Sequence, residues 1–197
     1  EATGETESLR DSVQARFAEK ESFAGNDLSD QDLSGLDLSG ADFSGARLVR
    51  ANLSKCVLKG ANLTGAYVYE SDLTDADLSG ACLEDSDFMK SNLTRAKLIE
   101  AKLDGADLSQ TEMQGSDLTR VSGEGVDFNG SKLGGASFRE AKLNSADFSM
   151  ADLSKADFTK GVLKASSFEE ATGPGIIMTE ADLSDINATE GADFSGG

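Results

Sequence analysis

The chain of 197 residues has no histidine, no tryptophan, one proline and two cysteines. Without histidine, no side chain has an ordinary pKa suited to general acid–base work near neutral pH. Catalysis would then fall to paired carboxylates, which act inside a cleft. Cys56 and Cys82 form no CxxC pair, too little for a disulfide framework or a zinc site. No stretch approaches the ~18 consecutive apolar residues of a transmembrane helix. No N-terminal segment combines the basic, apolar and small-residue regions of a secretory signal. The chain starts at Glu1 and not at Met, so we expect either a removed targeting segment or a cut. Basic residues are scarce, 18 against 36 acidic, for a formal net charge of −18. Such a surface repels nucleic acid, whose phosphates need Lys and Arg. It disfavours anionic lipid and suits basic protein partners. No cofactor is expected. Low hydrophobicity with high charge also suits a disordered chain, but the order of the residues excludes that.

Every fifth residue from Phe23 to Phe168 is large and apolar. Of these 30 positions, 27 are Leu or Phe, two are Val68 and Met113, and one is Gly123. Two residues before each sits a small one, from Ala41 to Ser166 always Ala, Ser, Gly, Cys, Thr or Val. Asp, Asn or Lys mostly stands between them, and Ser or Thr follows, as in Ala61-Asn62-Leu63-Thr64-Gly65. A period of five matches neither a helix nor a plain strand. It fits a strand of about three residues and then a turn, with the small and large side chains inward and the middle one outward. No unit can bury its Leu alone, so the units must stack.

This pattern resembles the pentapeptide-repeat family over about three quarters of the chain. The resemblance implies an all-β fold: a right-handed quadrilateral β-helix with four pentads, twenty residues, per coil. Thirty pentads then give about 7.5 coils and a rod roughly 36 Å long at ~4.8 Å per strand. Residues twenty apart should stack. Phe128, Phe148 and Phe168 form one such series, with Phe88 on the same face below Leu108, and Phe138 and Phe158 form another on the opposite face. Two facing aromatic ladders are expected in the last third.

Three segments follow: 1–20, an N-terminal segment with a short capping helix; 21–171, the β-helix; and 172–197, an irregular C-terminal segment with partial repeats. Leu9, Val13 and Phe17 make one helical stripe, and Ser8 with Asp11 resembles a capping box, so a helix over 8–20 should cover the first coil. The small-residue positions there are Glu21, Asn26, Gln31 and Leu36, as if packing were not yet tight. Gly123 keeps the frame where Leu belongs, and a local bulge is expected. At Thr172-Gly173-Pro174-Gly175 the rhythm fails in a turn. Ile176, Ile177 and Met178 are expected to plug the core, and Phe194 is out of frame by one. The C-terminal end reads as truncated or as open to a partner, with end-to-end association as one outcome.

Function should then lie on the outer faces. One face carries Asp27, Arg47, Tyr67, Asp87, Asp107, Asp127 and Asp147 in successive coils. Its last four residues, Asp87, Asp107, Asp127 and Asp147, are the candidate partner-binding site. Carboxylates so close should raise some pKa values, and such a ladder can attract Ca²⁺ or a basic partner. The bland reading is that Asp here bonds neighbouring backbone. Arg50, Glu70 and Lys90, and Lys55, Asp75 and Arg95, form columns of alternating charge. Another face carries Lys102 and Lys142 with few acids. Cys56 points inward and Cys82 outward on different faces and coils, so no disulfide is expected. Tyr67, outward beside Val68, and Tyr69 can anchor an interface. The function expected is a non-catalytic scaffold binding another protein, with no direct nucleic acid binding. The pentads are similar in style to those of cyanobacterial and plastid members of the family, which implies a chloroplast, with the thylakoid lumen as the compartment, or alternatively a bacterial cytoplasm. Some bacterial members protect the type II topoisomerase gyrase by imitating duplex DNA, and that is the alternative function.

Overall fold

A computed structural model describes residues 9–188 and 191–194. The expected capping-box residue Ser8 lies outside them. Helix α1 spans Leu9–Ala18, with Asp11 in its first turn and Arg16 in its last, both favourable to the helix dipole. It stops at Lys20, which takes φ 60°. There Lys20 N–H donates to Phe17 C=O and Glu21 N–H to Arg16 C=O, the paired bonds of a Schellman end. Val13 enters the core and Phe17 packs beside it. Arg16 ties the helix to the first coil by donating to Glu21 at 2.8 Å and to Asn26 Oδ1 at 3.0 Å. Its guanidinium also lies over the Phe23 ring. The unusual polar residues at the first small positions thus include two partners of this arginine.

From Asp27 to Ser167 every outward residue pairs in parallel with the residue twenty further on, Asp27 with Arg47, Asp32 with Asn52, Asp37 with Val57, Asp42 with Asn62. This is a β-helix solenoid with four sides to each coil. The N–H of a large residue donates to the next coil, as Leu53 N to Asp72 O, and that of its outward neighbour to the previous one, as Asn52 N to Gln31 O. Two faces are nine strands deep, Asp27 to Asn187 and Asp32 to Asp193. Eight spacings of ~4.8 Å make that about 38 Å.

The corners explain the pentad. At most of them the next small residue's N–H returns to the large residue's C=O, as Ala66 N to Leu63 O at 2.9 Å, closing a turn. The second corner residue has φ near +60°, which defines type II geometry and favours Gly. The preceding Asp or Asn accepts the N–H two residues on, as Asp72 Oδ1 does from Thr74 N, and the Thr74 hydroxyl bonds the same oxygen. Small, Asp or Asn, large, Ser or Thr, then Gly is therefore the sequence of one such side and corner. Inside, large and small positions are almost all fully buried. Buried serines donate to backbone carbonyls, Ser71 to Leu48 O and Ser91 to Val68 O. No buried hydroxyl of that column lacks a partner, as burial demands.

The aromatic ladders are present. Phe128, Phe148 and Phe168 stack at 4.9 and 5.1 Å, and Phe138 and Phe158 at 4.6 Å. The two ladders also meet edge to face across the core, Phe148 lying 5.7 Å from Phe138 and 5.6 Å from Phe158.

Two expectations change. Gly123 makes no bulge: strand β1 (Ser122–Glu124) pairs in unbroken parallel register with β2 (Lys142–Asn144). A Cβ on Gly123 would lie 2.6 Å from Val126 Cγ2, so Val126, branched where Ala is usual, already fills the vacant Leu space. Residues 172–193 are also more regular than their sequence suggests. Thr172, Ile177, Asp182 and Asn187 each pair with the residue twenty before, and Asp193 pairs with Thr172 across twenty-one. Gly173 stands in a large-residue slot, and a Cβ there would lie 2.9 Å from Phe194 Cδ1 and 3.4 Å from Ile176. The one-residue slip lets Phe194 fill that slot. Ile176 is buried and Met178 packs against the core, whereas Ile177 faces solvent.

Candidate functional site

The interior is packed side chain to side chain, so what distinguishes one coil from another is on the outside. Asp87, Asp107, Asp127 and Asp147 do lie together, paired strand to strand on one face. Each is partly exposed. Each also accepts a backbone N–H two residues on, from Met89, Ser109, Asn129 and Ser149 at 2.7–2.9 Å. The structural duty expected of Asp at this position is therefore real, and it leaves the outer carboxylate oxygen of each toward solvent. Burial, with the neighbouring charges of Asp107 and Asp147, holds the Asp127 carboxyl above its ordinary range. Among the described residues no group of three or more carboxylates, thiols or imidazoles is placed to hold a metal ion.

The columns compared in the sequence do not include the corner that adjoins these aspartates. Glu84, Asp104 and Glu124 stand there twenty apart in one column, with Asp85 next to Glu84, beside the aspartates. The Asp85 carboxylate folds so closely over Gly105 that a Cβ there would lie 2.6 Å from its oxygen. The four segments 84–87, 104–107, 124–127 and 144–147 read Glu-Asp-Ser-Asp, Asp-Gly-Ala-Asp, Glu-Gly-Val-Asp and Asn-Ser-Ala-Asp, with no cation. The same twenty-residue sort, applied to the corner positions, would have found them.

Elsewhere many of the cations are paired between coils. Arg50 forks onto Asp30 and Arg95 onto Asp75, Lys132 meets Glu112, Arg120 meets Glu100 and Arg139 meets Asp157, each pair with a contact of 2.7 Å. Such exposed pairs contribute about 0–1 kcal/mol each, but they spread positive charge over the other faces and leave one acidic strip. Arg50 thus pairs with Asp30 below it, and Lys90 donates to the Tyr69 hydroxyl.

Tyr67 lies on the acidic face, paired with Arg47 below and Asp87 above. Val49, Tyr69 and Met89 follow one another at its far corner, where Arg50 N bonds Tyr69 O and Glu70 N bonds Met89 O. Cys56 is buried and donates its thiol to Leu33 O at 2.9 Å, while Cys82 is partly exposed on another face, and both are free. No helix among the described residues is long and apolar enough to cross a membrane.

A family model described as pentapeptide repeats matches residues 22–60, 51–88, 86–122 and 124–159, eight copies in all. Solved structures of the same kind are also similar. HetL, involved in heterocyst differentiation regulation in the cyanobacterium Nostoc, is 26% identical, covers 92% of each chain and has a TM-score of 0.28. A thylakoid-lumen pentapeptide repeat protein of Arabidopsis thaliana is 38% identical over 60% of this chain and 69% of its own, with a TM-score of 0.27. QnrB1, a plasmid-mediated fluoroquinolone resistance protein, is 20% identical over 86% of this chain and 78% of its own, with a TM-score of 0.49. These superpositions are too loose to carry an argument about function. No curated protein sequence matches. With the family model matching more than half of the residues, and with the coils from Asp27 to Asn187 closing on a twenty-residue period, the chain belongs to the pentapeptide repeat family.

Proposed function

We propose that this protein is a non-catalytic interaction scaffold, a right-handed quadrilateral β-helix capped by α1, that presents its acidic strip to another protein. The observation that carries this reading is the distribution of charge. Cations stand on the other faces, many of them paired across coils, whereas the strip of segments 84–87, 104–107, 124–127 and 144–147 has none. Random sequence drift has no reason to keep one strip clear of cations while placing them on the others. The face would attract and orient a basic surface. The packed interior offers no cleft for paired-carboxylate chemistry, and pentapeptide repeat proteins typically serve structural or interaction roles. Similar proteins come from a thylakoid lumen and from cyanobacteria, compatible with a chloroplast or a bacterial cytoplasm. We favour the chloroplast.

The second reading, imitation of duplex DNA before a type II topoisomerase, draws on the same strip. Its eight carboxylates, Glu84, Asp85, Asp87, Asp104, Asp107, Glu124, Asp127 and Asp147, span four strands. At ~4.8 Å per strand that is roughly one charge per 2 Å, close to the ~1.7 Å of duplex DNA. The cations on the other faces weigh against it, because DNA is negative all round.

The test is a pull-down from photosynthetic extract with the intact rod as bait, beside a variant carrying Asp87→Asn, Asp107→Asn, Asp127→Asn and Asp147→Asn. Asn keeps the backbone bond and removes the charge. A partner held by the native rod and lost by the variant supports the scaffold reading. Equal retention by both places recognition off this aspartate column. Inhibition of purified gyrase by the rod would favour the second reading.

A further inference from the structure

The acidic face has a foot of different chemistry. Tyr67 is 50% exposed, the largest exposed aromatic surface among the described residues. Around it lie the partly exposed Val49, Tyr69 and Met89. Tyrosine, methionine and arginine are the residue types over-represented where interfaces hold their energy. The cations beside the foot are already engaged: Arg47 with Asp27, Arg50 with Asp30, and Lys90 with the Tyr69 hydroxyl. Directly above the foot, on the same face, the aspartates begin. A ligand that follows the face thus meets an apolar contact first and then carboxylates at every coil.

We propose that this face docks an extended basic segment of another protein, with one apolar side chain of that segment seated on Tyr67 and Met89 and its lysines or arginines running up the column to Asp147. The proposal deepens the scaffold reading and rests on it for the partner's being a protein. Charge complementarity selects the basic chain, and the apolar foot fixes its register. Tyr67 to Asp147 is four strand spacings, about 19 Å, which about six extended residues span at ~3.3 Å each. The two ends should respond differently to salt. Exposed charges are screened beyond ~10 Å at 0.1 M ionic strength, and the apolar contact is not.

The test uses a fluorescein-labelled synthetic peptide with one leucine followed by alternating lysine and glycine, read by anisotropy at low and at physiological salt. The native rod should bind it. Tyr67→Ala should weaken binding about tenfold at both salts, as loss of a central anchor does. Replacing the peptide's leucine with glycine should cost a similar factor on the native rod and almost nothing on Tyr67→Ala, since both changes remove the same contact. Asp107→Asn with Asp127→Asn should weaken binding severalfold at low salt and flatten the salt dependence, while Asp152→Asn on the neighbouring face should not. No binding to the native rod, or equal binding by Tyr67→Ala and the native rod, overturns the proposal. If that happens while the four-aspartate variant still loses its partner in the extract, the scaffold reading stands and only the apolar foot is refuted.

Discussion

Phe148 sits at the centre of the aromatic core, stacked on Phe128 and Phe168 and edge-on to Phe138 and Phe158. Phe88 occupies the same slot three coils below and is equally buried, but among the described residues it meets no other ring. Changing each to Leu separates two contributions. A Phe-to-Leu swap that keeps most of the apolar volume costs less than about 1.5 kcal/mol. Each ring pair adds about 0.5–1.5 kcal/mol beyond its buried area. Phe148 has four such pairs, which overlap and do not sum fully, so Phe148→Leu should cost about 2–4 kcal/mol and Phe88→Leu about 1 kcal/mol. Urea unfolding with linear extrapolation gives the two values. Because a solenoid couples mainly nearest neighbours, amide exchange should quicken in 128–194 of the Phe148 variant and stay slow in the early coils. If both variants lose the same stability within about 0.5 kcal/mol, the ladders are ordinary substitutions of Phe for Leu and the ring geometry contributes nothing.

Other outcomes follow from the corners and the outer face. Ala165 has φ 56° and an exposed side chain, so Ala165→Gly removes about 1–2 kcal/mol of left-handed strain and adds about 0.5–1 kcal/mol of unfolded-state entropy, for a net gain near 0.5–1 kcal/mol, whereas Gly60→Ala at φ 62° should lose about as much. Thermal melts of the pair should move in opposite directions. Asp127 holds its proton more tightly folded than unfolded, so its contribution is favourable in acid and fades as pH rises from 3.8 through its raised folded value. Asp127→Asn keeps the acceptor for Asn129 and should gain on the native protein over that window, as urea midpoints below and above it will show. Burial pushes the Cys56 thiol up to about 11, so a thiol reagent near neutral pH should label Cys82 on the native rod and Cys56 only after denaturant.

The fold was legible because its period is enforced at every unit. A slip of one residue would turn the Leu series outward, so thirty units in frame leave no second solution. The aromatic ladders were legible for the same reason, once residues twenty apart were compared. The errors arose where one residue compensates for another. Gly123 looks like a defect until Val126 is seen to fill its space, and Gly173 until Phe194 does, from a coil later. The hold of Arg16 on Glu21 and Asn26 also pairs residues that periodicity does not connect. On the candidate site, the four aspartates are visible as a column, but their corner acids and the Val49–Tyr69–Met89 column are not, because the corner columns compared by coil, Arg50–Glu70–Lys90 and Lys55–Asp75–Arg95, are different ones.

The direction of the backbone bonds has a mechanical consequence. Every inter-coil bond joins residues about twenty apart and runs along the rod axis. A pull on the two ends along that axis therefore loads one layer at a time, as in opening a zip, and never shears many bonds together. Each coil that yields would release about 70 Å of contour at ~3.5 Å per residue, while the coils beneath keep their shape. Such a rod is stiff under compression and sideways load yet gives way in even, small steps under tension.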